Sequence, residues 1–348
     1  MTYFRPEIAA MSGYVPGEQP QAGKFIKLNT NENPYPPSAK VVRAIQQAAE
    51  SGLMRYPDPL GNAFRDRAAD VLGVPRDWIL CGNGSDDILT IVTRALVGVG
   101  QRLRLPYPSY ILYKTLAQLQ AAAWDEVPFR DDWTLPPEFA AATEDLRLVF
   151  LPNPNSPTGT MVARDAILQL ADRLPCPLLV DEAYADFADE NCVDLVAKHE
   201  RIMVSRTLSK SYALAGLRFG YLIAQPHLIE QFTKVKDSYN CDALSIAGAT
   251  AAIDDQVWLR ENVARVRQTR RQLADGLQQL GFAVLPSQAN FVWCTHANHP
   301  AATLYERLKQ NRVLVRYMNY PGWQAGLRIS VGSGEQVEAL LALLKGMV

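Results

Sequence analysis

The chain has 348 residues, 48% of them hydrophobic, enough for one large core or two smaller ones. Its 35 basic and 36 acidic residues leave a net charge of −1, which gives no electrostatic footprint for nucleic acid or an anionic membrane surface. No apolar run approaches the roughly 20 residues of a spanning helix. The five scattered cysteines, without a Cys-x-x-Cys pair, suit free thiols in a reducing cytoplasm.

Residues 1–38 are rich in Pro, Gly and Asn and read as an arm lying over something larger. The first seven residues carry an acid and no apolar core, so no secretory signal is expected. Helical spacing covers residues 41–50 and 62–72, with the loop Arg55-Tyr56-Pro57-Asp58-Pro59 between them. From there the pattern alternates. Strands are predicted over 78–81, 102–105, 147–151, 177–180 and 201–204, and a further apolar run covers 219–224. Helices are predicted over 87–97, from the turn 106–110 to about 121, and over 164–174. Strands this apolar, separated by helices, predict an α/β fold with a mainly parallel sheet covered on both faces. In such a sheet the site lies outside the carboxyl ends of the strands. Beyond Ser245 the character changes. A long charged helix over 254–280 leads to strands at 282–285, 291–294, 313–316 and 327–331, with helices at 301–310 and the end, which predicts a smaller α+β domain. The expected division is an arm at 1–38, a large domain at 39–250 and a small domain at 251–348.

Four stretches at strand ends carry candidate chemistry. Thr207-Leu208-Ser209-Lys210 follows the strand at 201–204, and Arg218 closes the same loop. A lysine held between buried strands suits a Schiff base, because desolvation favours its neutral, nucleophilic form. Thr207, Ser209 and Arg218 offer donors for a dianion such as a phosphate. Taken alone, Lys210 and Arg218 also read as solvated loop charges. Gly82-Asn83-Gly84-Ser85-Asp86 lies between a strand and a helix N-terminus, where free amides favour an anion, although an ordinary capped turn has the same composition. Asn153-Pro154-Asn155-Ser156-Pro157-Thr158-Gly159 is a rigid turn at a strand's end. Val180-Asp181-Glu182-Ala183-Tyr184 puts a carboxylate at the tip of an apolar strand, where it needs a cation or local amides. His296 and His299 read as a solvated loop pair, and no metal site is expected.

Together with Leu28-Asn29-Thr30-Asn31-Glu32-Asn33-Pro34-Tyr35, Tyr56-Pro57-Asp58 and Leu327-Arg328-Ile329-Ser330-Val331-Gly332, these stretches resemble the fold-type I pyridoxal-phosphate (PLP) aminotransferases, and within them the histidinol-phosphate aminotransferase family. The resemblance covers nearly the whole chain in order and spacing. It implies that Lys210 forms the Schiff base with the cofactor and moves the substrate proton. Asp181 would keep the pyridine nitrogen protonated, Tyr184 would bond the ring oxygen and Tyr110 would stack on the ring. The cofactor phosphate would rest on Gly84, Ser85 and Asp86 with Thr207, Ser209 and Arg218. Tyr56 would reach the neighbouring subunit's cofactor, which implies a homodimer. Many relatives have Asn before Pro-Thr-Gly where this chain has Ser156, so Asn155 is the expected contact to the ring oxygen; Asp87 also replaces a common Glu. Arg316 and Arg328 would clamp carboxylate and phosphate, with Asn29 and the partner's Tyr14 completing the pocket.

The reaction implied is transfer of an amino group between L-histidinol phosphate and 2-oxoglutarate in histidine biosynthesis. Aromatic amino acid transamination and phosphothreonine decarboxylation share the cofactor motifs. A catalytically silent PLP-fold sensor is the reading outside enzymes; the balanced charge and the lack of an appended DNA-binding segment weigh against it.

Overall fold

The computed structural model describes residues 3–13, 18, 19 and 23–348. Thirteen strands occur among the described residues: β1 (Ile26–Lys27), β2 (Ile79–Gly82), β3 (Arg102–Tyr107), β4 (Ala123–Pro128), β5 (Leu146–Pro152), β6 (Leu178–Asp181), β7 (Ile202–Thr207), β8 (Gly220–Ile223), β9 (Phe282–Val284), β10 (Phe291–His296), β11 (Val313–Leu314), β12 (Arg316–Asn319) and β13 (Ala325–Ser330). Seven of them form the large sheet, in the order β2-β8-β7-β6-β5-β3-β4. Only β8 runs against its neighbours, so six strands point one way and deliver their carboxyl ends to one edge.

Alternation along the central strands explains why they read as unbroken apolar runs. Val149 and Leu151 of β5 join one core with Val180 and Val204, whereas Leu148 and Phe150 join another with Leu179 and Met203 on the opposite face. Strand β4, which the alternation in the sequence did not reveal, is an edge strand of half-buried residues. Its Asp125 pairs with Arg102 and Arg104, and its Glu126 with Lys114. Charges of this kind protect an edge from further pairing and erase the apolar signal.

A second, antiparallel sheet has the order β12-β13-β10-β9 and is backed by the helix Gln256–Gln279. Its core includes Leu273, Val292, Ile329 and Leu340, and also Leu28 from the arm. The arm enters this unit because β1 pairs in parallel with β11. The helix Ala243–Asp254 instead packs on Ala39–Glu50 and Asn62–Leu72, so a boundary at residue 250 falls inside a helix of the larger unit. The two units meet at an aromatic seam. Trp323 and Trp293 stack at 4.7 Å, Trp133 stands edge-on to Trp323 at 5.4 Å, and the Tyr107 hydroxyl donates to the Pro321 carbonyl at 2.6 Å.

Candidate active site

A cavity of about 990 Å³ opens where β3, β5, β6 and β7 end, with Tyr107, Pro152, Asp181 and Thr207 on its wall. The far side is closed by Arg316 and Arg328 of the small sheet and by Asn29 to Asn31 of the arm. Lys210 and Asp181 therefore face one space.

Asp181 is the last residue of β6 and is almost fully buried. Its two oxygens accept from the Tyr113 hydroxyl at 2.7 Å and the Ser205 hydroxyl at 2.9 Å. Burial pushes its carboxyl upward, and the two hydroxyls oppose that shift. The sequence pattern singles out neither partner. Ser205 could have been, because it is the register partner of Asp181 on β7. Tyr113, stacked on Phe150 at 4.6 Å, comes from a helix 68 residues away, and nothing local announces it.

Lys210 lies three residues beyond the end of β7, and its Nζ donates to the Thr30 carbonyl at 3.3 Å. Burial, and next the Arg328 cation, lower its pKa to about 8. Tyr184 accepts from the Asn31 amide at 3.0 Å, and Asn31 is fixed in turn by the Ser330 hydroxyl of β13. The arm thus holds Tyr184 and Lys210 from one side.

A cradle suited to an anion forms at the start of the helix Ser85–Leu96. Gly84 has φ +86°, and a Cβ there would stand 2.6 Å from an Arg218 nitrogen, so only glycine lets the guanidinium lie this close. Arg218 is 3.7 Å from Asp86 and donates to the Ser209 hydroxyl at 3.5 Å, which also accepts from Thr207 at 3.0 Å. Ser85, Asp86, Thr207, Ser209 and Arg218 all line the cavity. Tyr110 lines it too, its hydroxyl 3.4 Å from Asp86.

At the other end, Arg316 and Arg328 are direct cross-strand partners on β12 and β13. Arg328 donates to the Ser156 hydroxyl and to the Asn29 carbonyl, each at 3.2 Å, and its guanidinium lies 5.4 Å from the Phe291 ring. Its Nε and the Asn29 side-chain oxygen are buried without a partner among the described residues. Both atoms are placed to take a partner from the cavity.

The remaining expected residues stand apart from the cavity wall. Asn155 is buried behind it, its amide spent on the Pro108 carbonyl at 3.2 Å and the Thr158 hydroxyl at 2.9 Å. Ser156 lines the cavity in its place, because the turn points alternate side chains to opposite sides. Tyr56 is 80% exposed and stacks on Tyr239 at 4.4 Å, away from this cavity. Tyr14 lies outside the described residues.

These groups fit PLP. A buried carboxylate without a cationic partner suits a pyridinium, a glycine-made cradle with Arg218 and a helix N-terminus suits a phosphate, and a lysine with a lowered pKa suits an aldehyde. An α/β fold with such a site at the sheet's carboxyl edge defines a class, and residues 23–344 match the family Aminotransferase class I and II. The chain belongs to that family. Among its relatives, the histidinol-phosphate aminotransferase of Rhodopirellula baltica is 59% identical over 98% of this chain and 95% of that protein. Histidinol-phosphate aminotransferase 1 of Trichormus variabilis is 47% identical over 99% of both. The crystal structure of histidinol-phosphate aminotransferase from Sinorhizobium meliloti in complex with pyridoxal-5′-phosphate superimposes with a TM-score of 0.90 at 26% identity, covering 100% of this chain and 99% of that one. The L-threonine-O-3-phosphate decarboxylase of Porphyromonas gingivalis, at 20% identity and TM-score 0.81 over 93% of this chain and 99% of that one, shares the fold.

Proposed function

We propose that this aminotransferase moves an amino group between L-histidinol phosphate and 2-oxoglutarate, with PLP as cofactor. The observation that carries the reading is the pair Arg316 and Arg328 across the cavity from Lys210, together with the near full-length relatives of that name. Histidinol phosphate has no α-carboxylate, whereas glutamate has two carboxylates. One cationic wall must therefore take a phosphate in one half-reaction and a carboxylate in the other, and planar guanidinium forks serve both.

Asp181 would hold the ring nitrogen, Tyr184 the ring oxygen, and Tyr110 one face of the ring. The amides at Gly84, Ser85 and Asp86, with Thr207, Ser209 and Arg218, would hold the phosphate. Bound there, PLP supplies an aldehyde for the amino group and a protonated ring that accepts an electron pair. Lys210 would be the amine that meets that aldehyde and would carry the proton to and from the substrate carbon. Arg328 and Arg316 orient the substrate by its anionic end, and Asn29 completes that wall.

The active unit is a homodimer in which Tyr56 and Tyr14 cross to the partner's site, a reading supported by the exposed run Leu53, Met54 and Tyr56 beside the exposed Tyr239. Five free, buried cysteines support a cytoplasmic location. The packing of the helix Ala243–Asp254 and the pairing of β1 support a domain division with the larger unit extended through Asp254 and β1 counted with the smaller one.

Single-turnover spectra with histidinol phosphate, phenylalanine and phosphothreonine test the assignment. Fast conversion of the cofactor to its amine form by histidinol phosphate is the expected result. Release of carbon dioxide from phosphothreonine, or a faster reaction with phenylalanine, would overturn it.

A further inference from the structure

Arg328 is a half-buried cation whose two observed hydrogen bonds go to neutral oxygens on different parts of the chain. Asn29 belongs to the arm, and Ser156 to the loop after β5 in the larger unit. A guanidinium has five N–H donors, so three remain, the buried Nε–H among them. Which way those three point depends on the two oxygens that hold the plane.

We propose that Ser156 is a positioning residue for Arg328, setting the guanidinium plane so that its unspent N–H bonds meet the anionic end of the substrate. The inference rests on the reading of Arg328 as the anion clamp. Ser156 is suited to the task in three ways. It is nearly buried and lines the cavity beside Arg328. Its loop is stiffened from behind: the Asn155 amide is bonded to Thr158 and Pro108, Asn155 N donates to the Thr160 carbonyl at 2.8 Å, and Gly159 N donates to the Asn155 carbonyl at 2.8 Å. Asn155 thus acts on the loop that presents Ser156. Finally, a hydroxyl can accept from the arginine while keeping its own hydrogen for the side of the cavity that Tyr184 also lines.

The experiment compares Ser156→Ala and Ser156→Thr with the wild-type holoenzyme. Succinate affinity is measured by calorimetry, the glutamate half-reaction by its KM, and the cofactor environment by its absorbance as a function of pH. Loss of a hydrogen bond to a charged group predicts about tenfold weaker succinate binding and a similar rise in glutamate KM for Ser156→Ala. Ser156→Thr, which keeps the hydroxyl, should recover most of both, and the absorbance titration should stay that of the wild type. Unchanged succinate binding in Ser156→Ala would overturn the proposal. So would a displaced absorbance titration with unchanged affinity, which would assign the hydroxyl to Tyr184 and the ring. Succinate has neither amino group nor phosphate, so failure of histidinol phosphate to react would refute the substrate reading alone. A wild-type enzyme that ignores succinate would refute both.

Discussion

An amine that must attack an aldehyde has to be neutral when the aldehyde arrives. Lys210, the amine proposed for that part, meets the requirement through burial and the neighbouring Arg328 cation, which lower its pKa from 10.5 to about 8. The rate at which apoprotein captures PLP should therefore rise with pH and reach half its plateau near pH 8, well below the midpoint of an ordinary lysine. In Lys210→Ala, borohydride should fix no pyridoxyl group to the protein, and peptide mapping checks this directly. The role proposed for Asp181 poses the opposite problem, since burial favours its proton and only the anion can hold a pyridinium. The Tyr113 and Ser205 hydroxyls stabilise the charged form. Removing one in Tyr113→Phe raises the carboxyl further, so it keeps its proton to higher pH. The acid limb of cofactor binding should shift upward, and PLP affinity at neutral pH should fall by up to about tenfold. Titration of apoprotein with PLP at several pH values measures both effects.

Strand β8 runs against its neighbours and passes directly behind the anion cradle. A Cβ at Gly220 would stand 2.5 Å from the Ser85 amide nitrogen, 2.6 Å from the Gly84 carbonyl carbon and 2.9 Å from the Arg206 carbonyl oxygen. All three are backbone atoms, so none can swing aside. Gly220→Ala should cost about 1–3 kcal/mol of stability, readable by thermal denaturation. It should also weaken PLP binding at least about tenfold, since 1.4 kcal/mol of displacement suffices. The strands that carry the cradle, Asp181 and Lys210 were legible because their runs are buried on both faces and end in polar turns. Strand β4 was not, because an edge strand with Asp125 and Glu126 has no apolar stripe. The helices Pro226–Val235 and Ala243–Asp254 also escaped; the second is so uniformly apolar and small, from Ala243 to Ile253, that it shows little helical periodicity. At the site, motif residues could be placed by their position after strands. Their supports (Tyr113, Ser205, Asn31 and Ser330) come from elsewhere in the chain and emerge only on folding.

At the scale of the molecule, the proposal that Tyr56 serves the neighbouring subunit makes a sharp demand. Two inactive variants, Tyr56→Ala and Lys210→Ala, should regain activity when mixed and allowed to exchange subunits, because each hybrid then contains one intact site. Absence of any regain would return Tyr56 to its own chain, where it stacks on Tyr239. The joint between the two units has a further consequence. Three of the six tryptophans, Trp133, Trp293 and Trp323, meet there, with Tyr107 fastened to the Pro321 carbonyl beside them. Indoles in contact alter one another's light emission, so the protein carries its own optical gauge of the angle between its halves. A ligand that draws them together would announce itself without any attached dye, and Trp323→Phe would silence the signal while leaving the cofactor's colour untouched.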